Sequence, residues 1–147
     1  MLEKKKSFCI VCIANYCRSP VVENILKKRF DQRYEFFSAG ISPISESSMD
    51  PRSIKFLKKN NYNYNLHAPK KLNKKMLNYF DKFLAVDFYV LNQLNLAFPK
   101  YRHKFVSLTM QFNDINIIDP YHFEASEYKQ VMNDIKYVAE NIILEEI

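Results

Sequence analysis

From Ser7 to Cys12 the chain is almost continuously apolar, and it then turns through a short loop into Arg18-Ser19-Pro20. A short apolar run bounded in this way reads as a strand covered on both faces, as the central strands of parallel sheets are. A helix should follow. Ser19 can cap it, Pro20 suits the first helical position, and Val22, Ile25, Leu26 and Phe30 recur on one face at helical spacing.

Further strands are predicted at Tyr34 to Ser38, Phe83 to Val86 and Lys104 to Leu108. Helices are predicted from Asp50-Pro51 and from near Asp87, the latter carrying Leu91 and Leu94. The last helix is the plainest, because Tyr128, Val131, Met132, Ile135, Val138, Ala139 and Ile142 form one apolar stripe. Strands alternating with helices point to an α/β sandwich of three layers, a parallel sheet between helices, with ligands beyond the carboxyl ends of the strands. At 147 residues and 48% hydrophobic content, residues 1–147 are expected to form a single domain.

Three cysteines, Cys9, Cys12 and Cys17, crowd near one end, whereas a disulfide framework would spread them, so a reducing, cytoplasmic setting is expected. No stretch has the length of a membrane span or the pattern of a signal peptide, so no membrane insertion is expected. The net charge of +6 favours anionic partners. Its lysines, however, are scattered in pairs (Lys27-Lys28, Lys58-Lys59, Lys70-Lys71, Lys74-Lys75), read as solvated helix faces, and no nucleic-acid module accompanies them. His67, His103 and His122 lack neighbours at ligand spacing, so no metal site is expected.

Cys12 closes the first strand and Arg18 opens the first helix, with Ile13, Ala14, Asn15, Tyr16 and Cys17 between them. Successive backbone N–H groups in such a loop can converge on one oxyanion, and the helix N-terminus adds a favourable dipole. Arg18 supplies a planar fork that can hold two phosphate oxygens at once. The same field favours the thiolate form of a cysteine at the loop's start, which makes Cys12 a candidate nucleophile. The plainer alternative for Cys12 is a small buried residue at a strand end. Ser19 can donate to the thiolate or cap the helix. Cys9 is expected to pack in the core, and Cys17 either packs or forms a reversible disulfide with Cys12.

Taken together, Val11-Cys12-Ile13-Ala14-Asn15-Tyr16-Cys17-Arg18-Ser19-Pro20 resembles the active-site signature of the low-molecular-weight protein tyrosine phosphatases. Ser38-Ala39-Gly40, Asp50-Pro51-Arg52, Ala85-Val86-Asp87 and Asp119-Pro120-Tyr121 fall in the family's order. The resemblance implies a four-stranded parallel sheet and a cofactor-free hydrolysis of phosphotyrosine in proteins through a phosphocysteine, releasing inorganic phosphate. It implies Asp119 as the general acid, where Asp119-Pro120 alone would be a turn signal. It also implies that Asn15 holds a left-handed backbone tied down by Ser38 and His67, and that Tyr121 walls the substrate pocket. A monomer or weak dimer is expected, in the setting of bacterial phosphatases that oppose a tyrosine kinase in exopolysaccharide production.

Four positions depart from the family's pattern. Ala14 stands where many members carry glycine, which is tolerable only at negative φ. Tyr16 is bulkier than the usual aliphatic residue at the rim, Ile44 lies in a segment without the aromatic often found there, and His122 stands where many relatives have a second tyrosine. Alternative readings are a phosphoarginine phosphatase, whose members carry a small polar residue in place of Tyr16, and a non-catalytic phospho-binding module. Arsenate reductases that share the loop need further cysteines downstream, and none follows Cys17.

Overall fold

The computed structural model describes residues 3–64 and 66–147. Its centre is strand β1, Ser7–Cys12, every residue of which is buried. A strand can be buried on both faces only if both are covered, and the parallel sheet is indeed flanked by helices on both sides. The other strands are β2 (Glu35–Gly40), β3 (Lys82–Ala85) and β4 (Phe105–Ser107), in the order β2-β1-β3-β4. All pairings are parallel, with Cys12 opposite Gly40 and Val11 opposite Ala85. The sheet grows outward from β1 in both directions, so the switch point that forms a ligand crevice lies where β1 ends, at Cys12.

The helices are α1 (Ser19–Phe30), α2 (Pro51–Lys59), α3 (Lys74–Tyr79), α4 (Phe88–Ala97) and α5 (Ala125–Asn141). Val22, Ile25, Leu26 and Phe30 of α1 are buried, as is the whole predicted stripe of α5, which packs on α1. Neither helix has a side-chain N-cap bond. A cap contributes about 1 kcal/mol, whereas each fully buried large apolar side chain contributes about 1.5–3 kcal/mol, so packing alone outweighs the missing caps. By contrast α2 and α4, shorter and more exposed, are capped by Asp50 and Asp87, which accept from the amides of Arg52 and Val90 at 2.8 Å each.

The predicted strands and helices lie within a few residues of the observed ones, and three details differ. Ser19 is the first helical residue and does not cap α1: its hydroxyl turns back to Cys12. The helix α3 and the 3-10 turn Pro99–Lys104 carry no strong apolar periodicity and were not predicted. Lys70 and Lys71 do not lie on a helix face. They belong to an extended segment that pairs with Gly40, the Gly40 amide donating to the Lys70 carbonyl at 2.8 Å and the Leu72 amide to the Gly40 carbonyl at 2.9 Å.

Candidate active site

Every carbonyl from Cys12 to Arg18 is taken by a donor outside the loop. The amides of Ile41, Ser42 and Ile44 donate to Cys12, Ile13 and Ala14 at 3.1, 2.8 and 3.3 Å. His67 Nε2 bonds the Asn15 carbonyl at 2.8 Å, the Asp50 amide the Tyr16 carbonyl at 3.0 Å, and Ser53 Oγ the Cys17 carbonyl at 2.8 Å. Arg18 gives its carbonyl to the amides of Val21 and Val22. With the carbonyls drawn outward, the amides of Ala14, Tyr16, Cys17 and Arg18 are left without a protein acceptor among the described residues. Clustered donors of this kind form an anion-binding concavity.

Asn15 holds the turn. Its φ is 53°, a left-handed conformation that asparagine tolerates better than most residues. Its Nδ2 donates to Ser19 Oγ at 2.8 Å and to Ser38 Oγ at 3.0 Å, and its Oδ1 accepts from the Lys70 amide at 3.0 Å. Ser38 Oγ in turn donates a hydrogen bond to Glu23 Oε1 at 2.6 Å, and Glu23 pairs with Lys27. Ala14 is not among the residues with positive φ, so its methyl group is tolerated. Gly40, the chain's one glycine, lies under the loop: a Cβ there would stand 2.7 Å from the Ile13 carbonyl oxygen and 3.0 Å from the Asn15 amide nitrogen.

The Cys12 thiol is 2% exposed. Its Sγ accepts from the Asn15 amide at 3.2 Å and lies 2.9 Å from Ser19 Oγ. Because Ser19 Oγ already accepts from Asn15, its remaining hydrogen is free to point at the sulfur. Two donors are therefore aimed at one sulfur. The other two thiols sit in a different environment. Burial pushes the Cys9 thiol well up, and burial likewise pushes the Cys17 thiol up to about 12, with Asp50 adding to the effect, so both stay protonated at neutral pH. All three are free, and Cys17 Sγ donates to Asp50 Oδ2 at 3.6 Å.

Arg18 is buried and lines the cavity above Cys12. Its Nη1 donates to Asp87 Oδ2 at 2.6 Å and to the Ile117 carbonyl at 3.0 Å. Asp87 therefore caps α4 with one carboxylate oxygen and orients the guanidinium with the other. Among the described residues Nε and Nη2 have no hydrogen-bond acceptor, which leaves the planar edge suited to two oxygens of one phosphate.

The cavity measures about 150 Å³. Cys12, Ala14, Cys17 and Arg18 of the cysteine loop line it, together with Asp119, Ile44, Tyr121 and His122. Asp119 is exposed, and its Oδ1 accepts from the Tyr121 amide at 3.1 Å. Tyr16 is not a lining residue; its ring packs against Tyr121, with centroids 6.1 Å apart. Ser38 and His67 stand behind the loop as supports. Sequence reasoning missed four residues here. Glu23 and Asp87 carry no local signal of their roles, Gly40 could have been found as the one glycine of the chain, and Arg52, inside a quoted motif, had no assigned role.

A four-stranded parallel sheet with a cysteine-arginine anion cradle at its switch point defines a class of phosphatase. The chain belongs to the low molecular weight phosphotyrosine protein phosphatase family, whose model matches residues 7–147. Among relatives, the low molecular weight protein-tyrosine-phosphatase Ptp of Acinetobacter johnsonii is 29% identical over 125 residues, covering 85% of this chain and 87% of that one. Among solved structures, Vibrio vulnificus Wzb in complex with benzylphosphonate superposes with a TM-score of 0.85 at 22% identity, covering 92% of this chain and 94% of that one. The YwlE arginine phosphatase from Geobacillus stearothermophilus has the same fold, with a TM-score of 0.83 at 21% identity and coverages of 92% and 88%. No helix among the described residues is long and apolar enough to cross a membrane.

Proposed function

We propose that this protein hydrolyses phosphotyrosine in proteins through a phosphocysteine intermediate. The observation that carries the reading is the buried Cys12 thiol, held by two donors within a ring of unpaired amides. Bound phosphate would take its hydrogen bonds from those amides and from the Nε and Nη2 edge of Arg18. The Cys12 thiolate attacks phosphorus in line, the P–O bond to the phenol breaks, and Asp119 transfers its proton to the leaving oxygen. Asp119, now a carboxylate, takes a proton from water as that water attacks the phosphocysteine. Inorganic phosphate and the thiolate return, with Ser19 donating to the departing sulfur.

Tyr121, backed by Tyr16, gives the cavity an aromatic wall suited to a phenyl ring. This favours phosphotyrosine over phosphoarginine. Membership of the family supports placing such an enzyme opposite a tyrosine kinase in exopolysaccharide production. The test is phosphate release in the presence of a chelator from peptides bearing phosphotyrosine, phosphoserine or phosphoarginine. Cys12→Ser should abolish turnover while still binding phosphate, and the phosphotyrosine peptide should be preferred. Turnover by Cys12→Ser would sink the covalent mechanism, and phosphate binding without turnover in the parent would make the protein a phospho-binding module.

A further inference from the structure

Asp119 sits between two arginine anchors. Two residues before it, the Ile117 carbonyl accepts from Arg18 Nη1 at 3.0 Å. Two residues after it, the Tyr121 carbonyl accepts from Arg52 Nη2 at 3.0 Å, and the Phe123 carbonyl accepts from Arg52 Nη1 at 2.8 Å. Arg18 belongs to the anion cradle itself. Arg52 does not line that cavity, and touches neither Cys12 nor Asp119.

The guanidinium of Arg52 is nonetheless fixed on all sides. Nε donates to Asp50 Oδ1 at 3.0 Å and Nη2 to Asp50 Oδ2 at 2.8 Å, a fork on a carboxylate that is itself buried. Its Cζ lies 3.9 Å from the ring centroid of Tyr128, a buried residue of α5. Burial opposes charge on Asp50, but the hydrogen bonds from Arg52 outweigh it and hold the carboxyl below its usual range. Asp50 is in turn bound to the cradle: its amide donates to the Tyr16 carbonyl at 3.0 Å, and its Oδ2 accepts from Cys17 Sγ at 3.6 Å. A continuous path of bonds thus runs from the cysteine loop through Asp50 and Arg52 to the two carbonyls that follow Asp119.

We propose that Arg52 is a positioning residue for proton transfer: it sets the register of the Asp119 loop over the cysteine loop, so that the carboxyl meets the leaving oxygen. This rests on reading Asp119 as the acid. Only a planar, five-donor group can fork one carboxylate and still reach two carbonyls, so lysine cannot replace it. Misplacing a catalytic group by about 1 Å costs on the order of 10²-fold in rate. That cost falls on substrates that need the proton and spares those whose leaving group departs unaided.

The experiment compares kcat/KM for phenyl phosphate, a poor leaving group, with that for 2,4-dinitrophenyl phosphate, a good one. Arg52→Gln should lower the first by about 10- to 100-fold and the second by less than about threefold, with inhibition by inorganic phosphate unchanged. Combined with Asp119→Ala, it should add nothing on phenyl phosphate, because no acid remains to be placed. Equal losses on both substrates, or a further loss in the double variant, would overturn the proposal. If Asp119→Ala alone fails to discriminate between the substrates, the acid assignment itself has failed, a result distinct from failure of Arg52. Should Arg52→Gln not fold, as read by its thermal transition, Arg52→Lys keeps charge and bulk without the fork and must show the same selective loss.

Discussion

The cysteine loop is largely buried and has a donor on every carbonyl, whereas the loop that carries Asp119 is more exposed and bonded at a few points. Asn15 and Ser19 are 0% exposed and Arg18 2%, while Ile118 is 51% and Tyr121 41% exposed. The first loop spends each carbonyl on a neighbouring element. The second relies on Arg18 at one end and Arg52 at the other, with the Phe123 amide closing a turn onto the Pro120 carbonyl at 2.9 Å. The difference fits the tasks proposed for them. A nucleophile and an anion cradle work only if donors are fixed before the ligand arrives, whereas an acid must stand where substrate can enter and leave.

Damage to the two loops should therefore differ in kind. The largest effect belongs to the exposed loop: Asp119→Ala should lower kcat/KM for phenyl phosphate by about 10²- to 10⁴-fold while leaving the thermal transition and phosphate inhibition nearly unchanged. A drop in thermal stability comparable to that of a cysteine-loop variant would erase the distinction. Next comes Gly40→Ala, whose methyl group meets backbone that has no room to yield. It should cost about 1–3 kcal/mol of stability in urea titration and weaken inorganic phosphate as an inhibitor. Retained phosphate affinity would show that the loop tolerates displacement.

A smaller effect is expected from Ser19→Ala, which removes one donor from Cys12 Sγ and one acceptor from Asn15. It should slow breakdown of the phosphocysteine by about 10-fold, visible as a larger burst in rapid-mixing kinetics. Formation of the intermediate should change less. Equal slowing of both steps would assign Ser19 to loop geometry alone.

The smallest concerns pH. Burial is the main cause that holds the His67 imidazole below its ordinary value, and its bond to the Asn15 carbonyl only partly offsets this. The folded ring is therefore neutral where the unfolded one begins to take up a proton. Its contribution is fully present above about pH 6.5 and diminishes as pH falls further, because the unfolded chain then binds the extra proton. Urea midpoints of the parent should fall between about pH 7.5 and about pH 5.5, a window that brackets the ordinary imidazole value. His67→Gln should lower stability at the upper end and show a shallower fall. Parallel curves would remove His67 from the acid response.

What the sequence determined by itself is what local spacing encodes. The apolar run of β1, the stripe of α5 and the strand-loop-helix order around Cys12 follow from which faces must be buried, and each lies where it was expected. Cys12, Arg18 and Ser19 were legible because one short loop carries them in register. Asn15, Ser38, His67 and Asp119 needed the family's pattern, since nothing local in an asparagine or a histidine announces such a partner. Only the tertiary structure decided that Ser19 turns to a thiol instead of capping, that Glu23 and Asp87 hold the residues that hold the ligand site, and that Gly40 must be glycine. These depend on contacts between segments far apart in sequence. Packing brings such segments together, and it is the directions of their donors and acceptors after packing, not their order along the chain, that make a cradle.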